Sequence, residues 1–193
     1  MLTANTAPGG SAHVRLDGAL SVTRHYLPDL VYGANDGIIT TFAVVAGVAG
    51  GALPPAVILI IGVANLFGDG FSMAAGNYQA IRSRESVLRA QGLPGEENQP
   101  VRHACATFVA FVVAGAIPLL PFLVPGGAGR LAATLVMTLM ALMLVGVLRA
   151  AVTDGRWWRD GLEMCGLGVV VAAVAYASGA LVARAFTWMP AVP

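Results

Sequence analysis

The sequence is short of charge. Only 11% of its 193 residues are Asp, Glu, Lys or Arg, whereas a soluble domain carries about 25%. So few charged groups cannot cover a globular surface, which excludes a soluble enzyme, a disordered chain and a free-standing nucleic-acid binder. Lysine is missing altogether: all 11 basic residues are Arg, the habit of a GC-rich genome. The net charge of +1 singles out no partner. There are two cysteines, Cys105 and Cys165, 60 residues apart and without metal-ligand or redox spacing. In apolar segments such cysteines serve as small hydrophobes. Residues 1–28 lack the apolar core of a cleavable signal peptide, so the first span is expected to act as its own signal anchor. No internal repeat is visible, and an odd number of spans argues against a simple inverted duplication.

What the chain has instead is apolar length. Apolar residues make up 57% of it and its mean hydropathy is +0.76. At roughly 20 residues per crossing, that is enough for up to about five spans. Five apolar stretches are present, from about Leu30 to Ala49, Pro55 to Ala80, Ala104 to Val124, Leu131 to Ala151 and Leu162 to Ala183. The expected fold is an all-α integral membrane protein. It has a polar N-terminal segment (1–28), a domain of five transmembrane helices (29–184) and a short tail (185–193). Pro54-Pro55 suits a helix start. Short Gly/Pro joins, Gly50 to Pro55 and Pro125 to Gly129, make antiparallel hairpins. Arginine placement sets the orientation. With the N-terminus in the cytoplasm, nine Arg (15, 24, 82, 84, 89, 102, 149, 156 and 159) lie inside and only Arg130 and Arg184 outside. The C-terminus is then outside. Trp157 and Trp158 fall at an inner boundary and Trp188 at the outer one, where aromatic belts sit. The one hydrophilic stretch between spans, 82–103, contains Glu85, Glu96 and Glu97 without regular spacing and reads as a solvated cytoplasmic loop. His103 marks its boundary; His13 and His25 belong to the polar N-terminal region.

Two carboxylates stand where they are expensive. Asp36 lies in the first span and Asp69 mid-way along the second, where a charged side chain costs about 2.5–3.5 kcal/mol to insert. No Arg stands near mid-depth to neutralise them, so a metal cation, a proton or an interhelical hydrogen bond is required. Asn65, Asp69, Met73 and Asn77 follow one another at four-residue steps on one helix face, with Ser72 beside them. Asp36 and Thr40 share a small, partly polar face of the first helix. If the two faces meet, carboxylates, an amide and a thioether converge. Oxygen ligands suit Mn²⁺ and Fe²⁺, and a thioether is out of place in a Mg²⁺ or Ca²⁺ site. Carboxylates must lose protons to bind metal, so proton-coupled exchange needs no further residue type. Asp36, Asp69 and Met73 are therefore the candidate metal residues, and Thr40, Asn65, Ser72 and Asn77 the candidate pathway lining. Gly33, Gly37, Gly62 and Gly76 are candidates for close helix packing.

At these residues the sequence resembles the vacuolar iron transporter family. The stretch Asp29 to Phe42 (DLVYGANDGIITTF), followed by Val44 to Gly47 (VVAG), is similar to the family's first helix. Asp69 to Tyr78 (DGFSMAAGNY) resembles its second-helix signature. Ile117 to Phe122 (IPLLPF) resembles its third helix, and Gly155 to Met164 (GRWWRDGLEM) with Ala172 to Tyr176 (AAVAY) its fifth. The resemblance implies a five-helix protomer with a cytoplasmic N-terminus. It also implies a homodimer with the ion path between protomers, lined by the first two helices. The family moves Fe²⁺ or Mn²⁺ out of the cytosol in exchange for protons, and Asp36 and Met73 take its metal-ligand positions. Two differences stand out. Eukaryotic members have Glu two turns before the ligand Met, where this chain has Asn65; by spacing, Asp69 supplies the missing charge. Full-length members also carry a Glu-rich cytoplasmic metal-binding domain between helices two and three; the 22 residues from Arg82 to His103 are too few for one, so the chain resembles the short branch of the family.

The expected function is thus Fe²⁺ and/or Mn²⁺ transport by a non-enzyme, with no resident cofactor and no nucleic-acid partner. Its surroundings are lipid and a second copy of itself, and its place is a bacterial inner (plasma) membrane. Two alternatives remain open at this point: a non-transporting membrane subunit whose Asp residues are interhelical glue, and an intramembrane enzyme using Asp36 and Asp69.

Overall fold

A computed structural model describes residues 19–186 except 96, 98, 125–128 and 154; side chains of 19–24 and 151–153 also lie outside the description. The expectations for His13, Arg15, Glu96, Trp188 and the join at 125–128 therefore fall outside the described residues. The described chain is all helix and connection: α1 (Ala19–Gly50), α2 (Pro55–Ala90), α3 (Pro100–Gly115), a 3-10 turn (Ile117–Leu119), α4 (Leu120–Leu123), α5 (Arg130–Thr153) and α6 (Trp157–Phe186). Five segments are long and apolar enough to cross a membrane: His25–Gly50, Pro55–Ala90, Pro100–Leu123, Arg130–Ala150 and Trp157–Phe186.

The third segment is broken where its prolines fall. Pro118 has no N–H to give and its ring crowds the carbonyl one turn back, so α3 stops and a tighter turn leads into α4. The Thr134 hydroxyl, buried on α5, donates to the Pro118 carbonyl at 3.2 Å, satisfying an acceptor the break leaves exposed. The second segment runs on past its apolar part. Arg82 to Ala90, within the hydrophilic stretch, continue α2, and only residues 91–99 connect it to α3. Gly92, at φ +68°, ends α2. Its N–H bonds the Arg89 carbonyl and the Leu93 N–H bonds that of Leu88, a Schellman turn that sends the chain back over the bundle end.

Helix α1 is the axis of the fold. It packs most extensively on α3, then on α6, α2 and α5. The α1–α3 seam is backbone on backbone: a Cβ at Gly33 would strike the Thr107 carbonyl, and one at Gly37 the Phe111 carbonyl. Gly115 faces the Gly37 carbonyl in the same way. Two of the expected packing glycines thus make their close approach inside one chain. Gly62 packs on Leu119, and Gly76 faces open space. The seam also fixes a register. Gly33 meets Thr107 and Gly37 meets Phe111, partners 74 positions apart; one turn earlier the same offset pairs Asp29 with His103. Around the seam lie two buried apolar clusters, one including Val45, Leu66, Phe111 and Leu119, the other Ile38, Leu142, Val145 and Met164. None of the described residues covers the far face of α2: Ile60 and Phe71 are 70% and 71% exposed.

Candidate metal centre

Two polar regions lie along α1, α2 and α3. The deeper one contains the residues the sequence singled out. Asp36 is half-buried, Asp69 is exposed on α2, and the two carboxylates are within electrostatic reach of each other. Met73 packs against the core cluster of Leu66 and Phe111. The Thr40 hydroxyl donates to the Asp36 main-chain carbonyl at 2.8 Å, so its proton is spent within its own helix. Ser72 is exposed beside Asp69. Among the described residues, Asn65 Nδ2 is buried with no hydrogen-bond partner, as is Asn35 Oδ1 next to Asp36. Buried amides without partners are costly, so this region is left unsatisfied by the described residues.

Asn77 belongs elsewhere. Its Nδ2 donates to Asp29 Oδ1 and to Thr107 Oγ1, both at 2.8 Å, joining α2 to α1 and α3. It thereby forms the edge of the second region, at the end of the bundle bearing the 91–99 connection. Asp29 Oδ2 accepts from His103 Nδ1 at 2.5 Å. His103 Nε2 lies 3.0 Å from Glu97 Oε2 and 3.1 Å from His25 Nε2, and His25 Nε2 lies 2.8 Å from the same Glu97 oxygen. The Tyr26 ring packs on His103, with centroids 4.7 Å apart. Glu97 is itself held: its N–H donates to Glu85 Oε1 at 2.7 Å, and its Oε1 accepts the Gln99 N–H at 2.6 Å. Burial pushes the Glu97 carboxyl up, but the hydrogen bonds from Gln99, His103 and His25 outweigh it and leave it below the usual carboxylate range. His25, Glu97 and His103 each offer one ligand atom, all close to one another, and together could hold a metal ion.

Sequence reasoning did not assemble this second region. His25 and Asp29 are one helical turn apart, a visible pairing, but His103 and Glu97 join them only through the glycine-set register of α1 on α3 and the Schellman turn. The hydrophilic stretch thus contains two members of a built cluster, Glu97 and, at its boundary, His103, rather than solvated glutamates alone.

The model of the VIT family matches residues 27–93 and 88–180. The chain belongs to the VIT family. Among curated relatives it is 22% identical to "Vacuolar iron transporter 1" of Eucalyptus grandis, over 77% of this chain and 83% of that one. It is 23% identical to the protein of the same name from Oryza sativa subsp. japonica, over 87% and 94%. Over a shorter stretch of 71 residues it is 37% identical to "Vacuolar iron transporter" of Plasmodium berghei (strain Anka), covering 37% of this chain and 26% of that one. The matched range takes in Asp29, Asp36, Asp69, Met73, Asn77, Glu97 and His103; His25 falls two residues before it. Membership of this family places the chain among membrane transport proteins, and its five long apolar helices fit a lipid environment.

Proposed function

We propose that this VIT-family chain moves Fe²⁺ and/or Mn²⁺ out of the cytosol in exchange for protons, as a homodimer with its ion path between the protomers. The observation that carries this reading is the pair Asp36 and Asp69, two carboxylates in electrostatic reach of each other within apolar spans. Together they bear two negative charges, which one divalent ion or two protons neutralise. Binding metal therefore displaces protons, and protonation releases metal. Met73, one turn from Asp69, adds a thioether that favours transition metals over Mg²⁺ and Ca²⁺. The exposed apolar face of α2, with Asp69 and Ser72 on it, supports the dimer, since a carboxylate facing lipid is costly and one facing a partner's path is not. The arginine distribution supports a cytoplasmic N-terminus and an outside C-terminus. His25, Glu97 and His103 then face the cytosol, and the membrane is a bacterial inner (plasma) membrane. The nine-residue connection between α2 and α3 leaves no separate metal-storing domain there.

Proteoliposomes with an imposed pH gradient test the proposal. Mn²⁺ or Fe²⁺ should accumulate on the acidic side, and an Asp36→Asn plus Asp69→Asn variant should not exceed empty liposomes. No uptake by the wild type would favour a non-transporting subunit; equal uptake by the double variant would remove the two Asp residues from the path.

A further inference from the structure

The His25–Glu97–His103 triangle brings together two imidazole nitrogens and a carboxylate oxygen that can serve as metal ligands. Asp29 is an acceptor, so the proton between it and His103 is carried by Nδ1. In the neutral imidazole, His103 Nε2 is then a bare lone pair. It points at Glu97 Oε2, another acceptor, and at His25 Nε2. A proton on His25 Nε2, or on a charged His103, joins these atoms by hydrogen bonds, and a divalent ion that displaces it meets two imidazole lone pairs and a carboxylate oxygen. The triangle's edges are 2.8, 3.0 and 3.1 Å. Three adjacent ligands on one face of an octahedral ion, each about 2.1 Å from it, stand about 3.0 Å apart. On a tetrahedral ion at about 2.0–2.1 Å they stand about 3.3–3.4 Å apart. Two imidazoles and one carboxylate on a face, with the opposite face free, are a donor set for Fe²⁺-like ions. Asp29, itself held by Asn77, fixes the ring and its tautomer from behind, as carboxylates do behind metal-bound histidines.

We propose that His25, Glu97 and His103 form a second metal site that takes a six-coordinate divalent transition ion, Fe²⁺ or Mn²⁺, at the connection end of the bundle, separate from Asp36 and Asp69. Asp29 is its positioning residue. Three coordination positions stay with water, so the ion is exchangeable rather than structural. Asp36 lies seven residues along α1 from Asp29, about 10 Å of helix rise, which makes this site the first stop of an entering ion; that role, though not the binding itself, rests on the transport reading.

The two sites differ in nitrogen. Asp36, Asp69 and Met73 offer none as ligand, so imidazole ¹⁴N modulation of the Mn²⁺ electron spin echo reports this site alone. The probe is Mn²⁺ added to tag-free full-length protein in detergent micelles. Two coupled imidazoles are expected in the wild type and in the Asp36→Asn plus Asp69→Asn variant. One should remain in His25→Ala, which leaves the His103–Asp29 pair intact, and none in His25→Ala plus His103→Ala. Absence of nitrogen coupling in the wild type, or its persistence in the double histidine variant, would overturn the site. Co²⁺ bound with intense tetrahedral absorption would overturn the octahedral assignment. Nitrogen coupling without any metal uptake would overturn the transport reading and leave this site standing.

Discussion

The two polar regions are built in opposite ways. At the connection end, every group that positions the cluster is itself held: Asp29 by Asn77, Glu97 by Glu85 and Gln99, His103 by Asp29. Deeper in the bundle, Asp69 is exposed, and Asn65 and Asn35 each leave a buried atom without a partner among the described residues. A pre-built cluster holds an ion with little reorganisation. An unfinished one has to be completed by the ion, by protons or by a second chain, and each of these can leave. The contrast fits a path with a fixed entry and a changeable middle.

Four variants break or sharpen this contrast. The largest effect is expected from Asp36→Asn plus Asp69→Asn, which should reduce proteoliposome uptake to background while sparing the imidazole-coupled Mn²⁺ signal. Gly37→Ala should damage both regions. Its new Cβ meets the Phe111 backbone and must push α3 off α1, at about 1–3 kcal/mol. Thermal unfolding in micelles would register that loss, and a stability equal to wild type would show that the seam can slip. Asp29→Asn should act at the entry alone, weakening Mn²⁺ binding about 10–100-fold; titration followed by spin resonance measures this, with uptake at saturating metal retained. Thr40→Val should be the mildest. Its hydroxyl proton is spent on the Asp36 carbonyl, so uptake should stay within about twofold; a larger loss would make the hydroxyl oxygen a ligand.

Much of the fold was legible because apolar length is a property of single segments. All five expected stretches are helical, and Pro118 breaks the third where a missing N–H must break it. Helix ends were less legible: α2 runs ten residues beyond Ala80 because Arg82 to Ala90 are helix formers that need no lipid. At the candidate site, spacing along one helix placed Asp69 and Met73 on one face, and Asp36 lies within electrostatic reach of Asp69. Spacing said nothing about which helix Asn77 addresses, and it turns to Asp29 and Thr107. The His25–Glu97–His103 cluster was the least legible, since it depends on a register set by Gly33 and Gly37 and on a loop turned back by Gly92. Those are relations between segments, and no periodicity within one segment records them.

Reciprocal flux in one preparation of proteoliposomes tests the central claim most directly. Mn²⁺ entry and proton exit are recorded together, for the wild type and for Asp36→Asn plus Asp69→Asn. The expected result is proton movement opposite to Mn²⁺ in the wild type, with both fluxes absent in the variant. Mn²⁺ entry without proton exit, or undiminished entry in the variant, would contradict it.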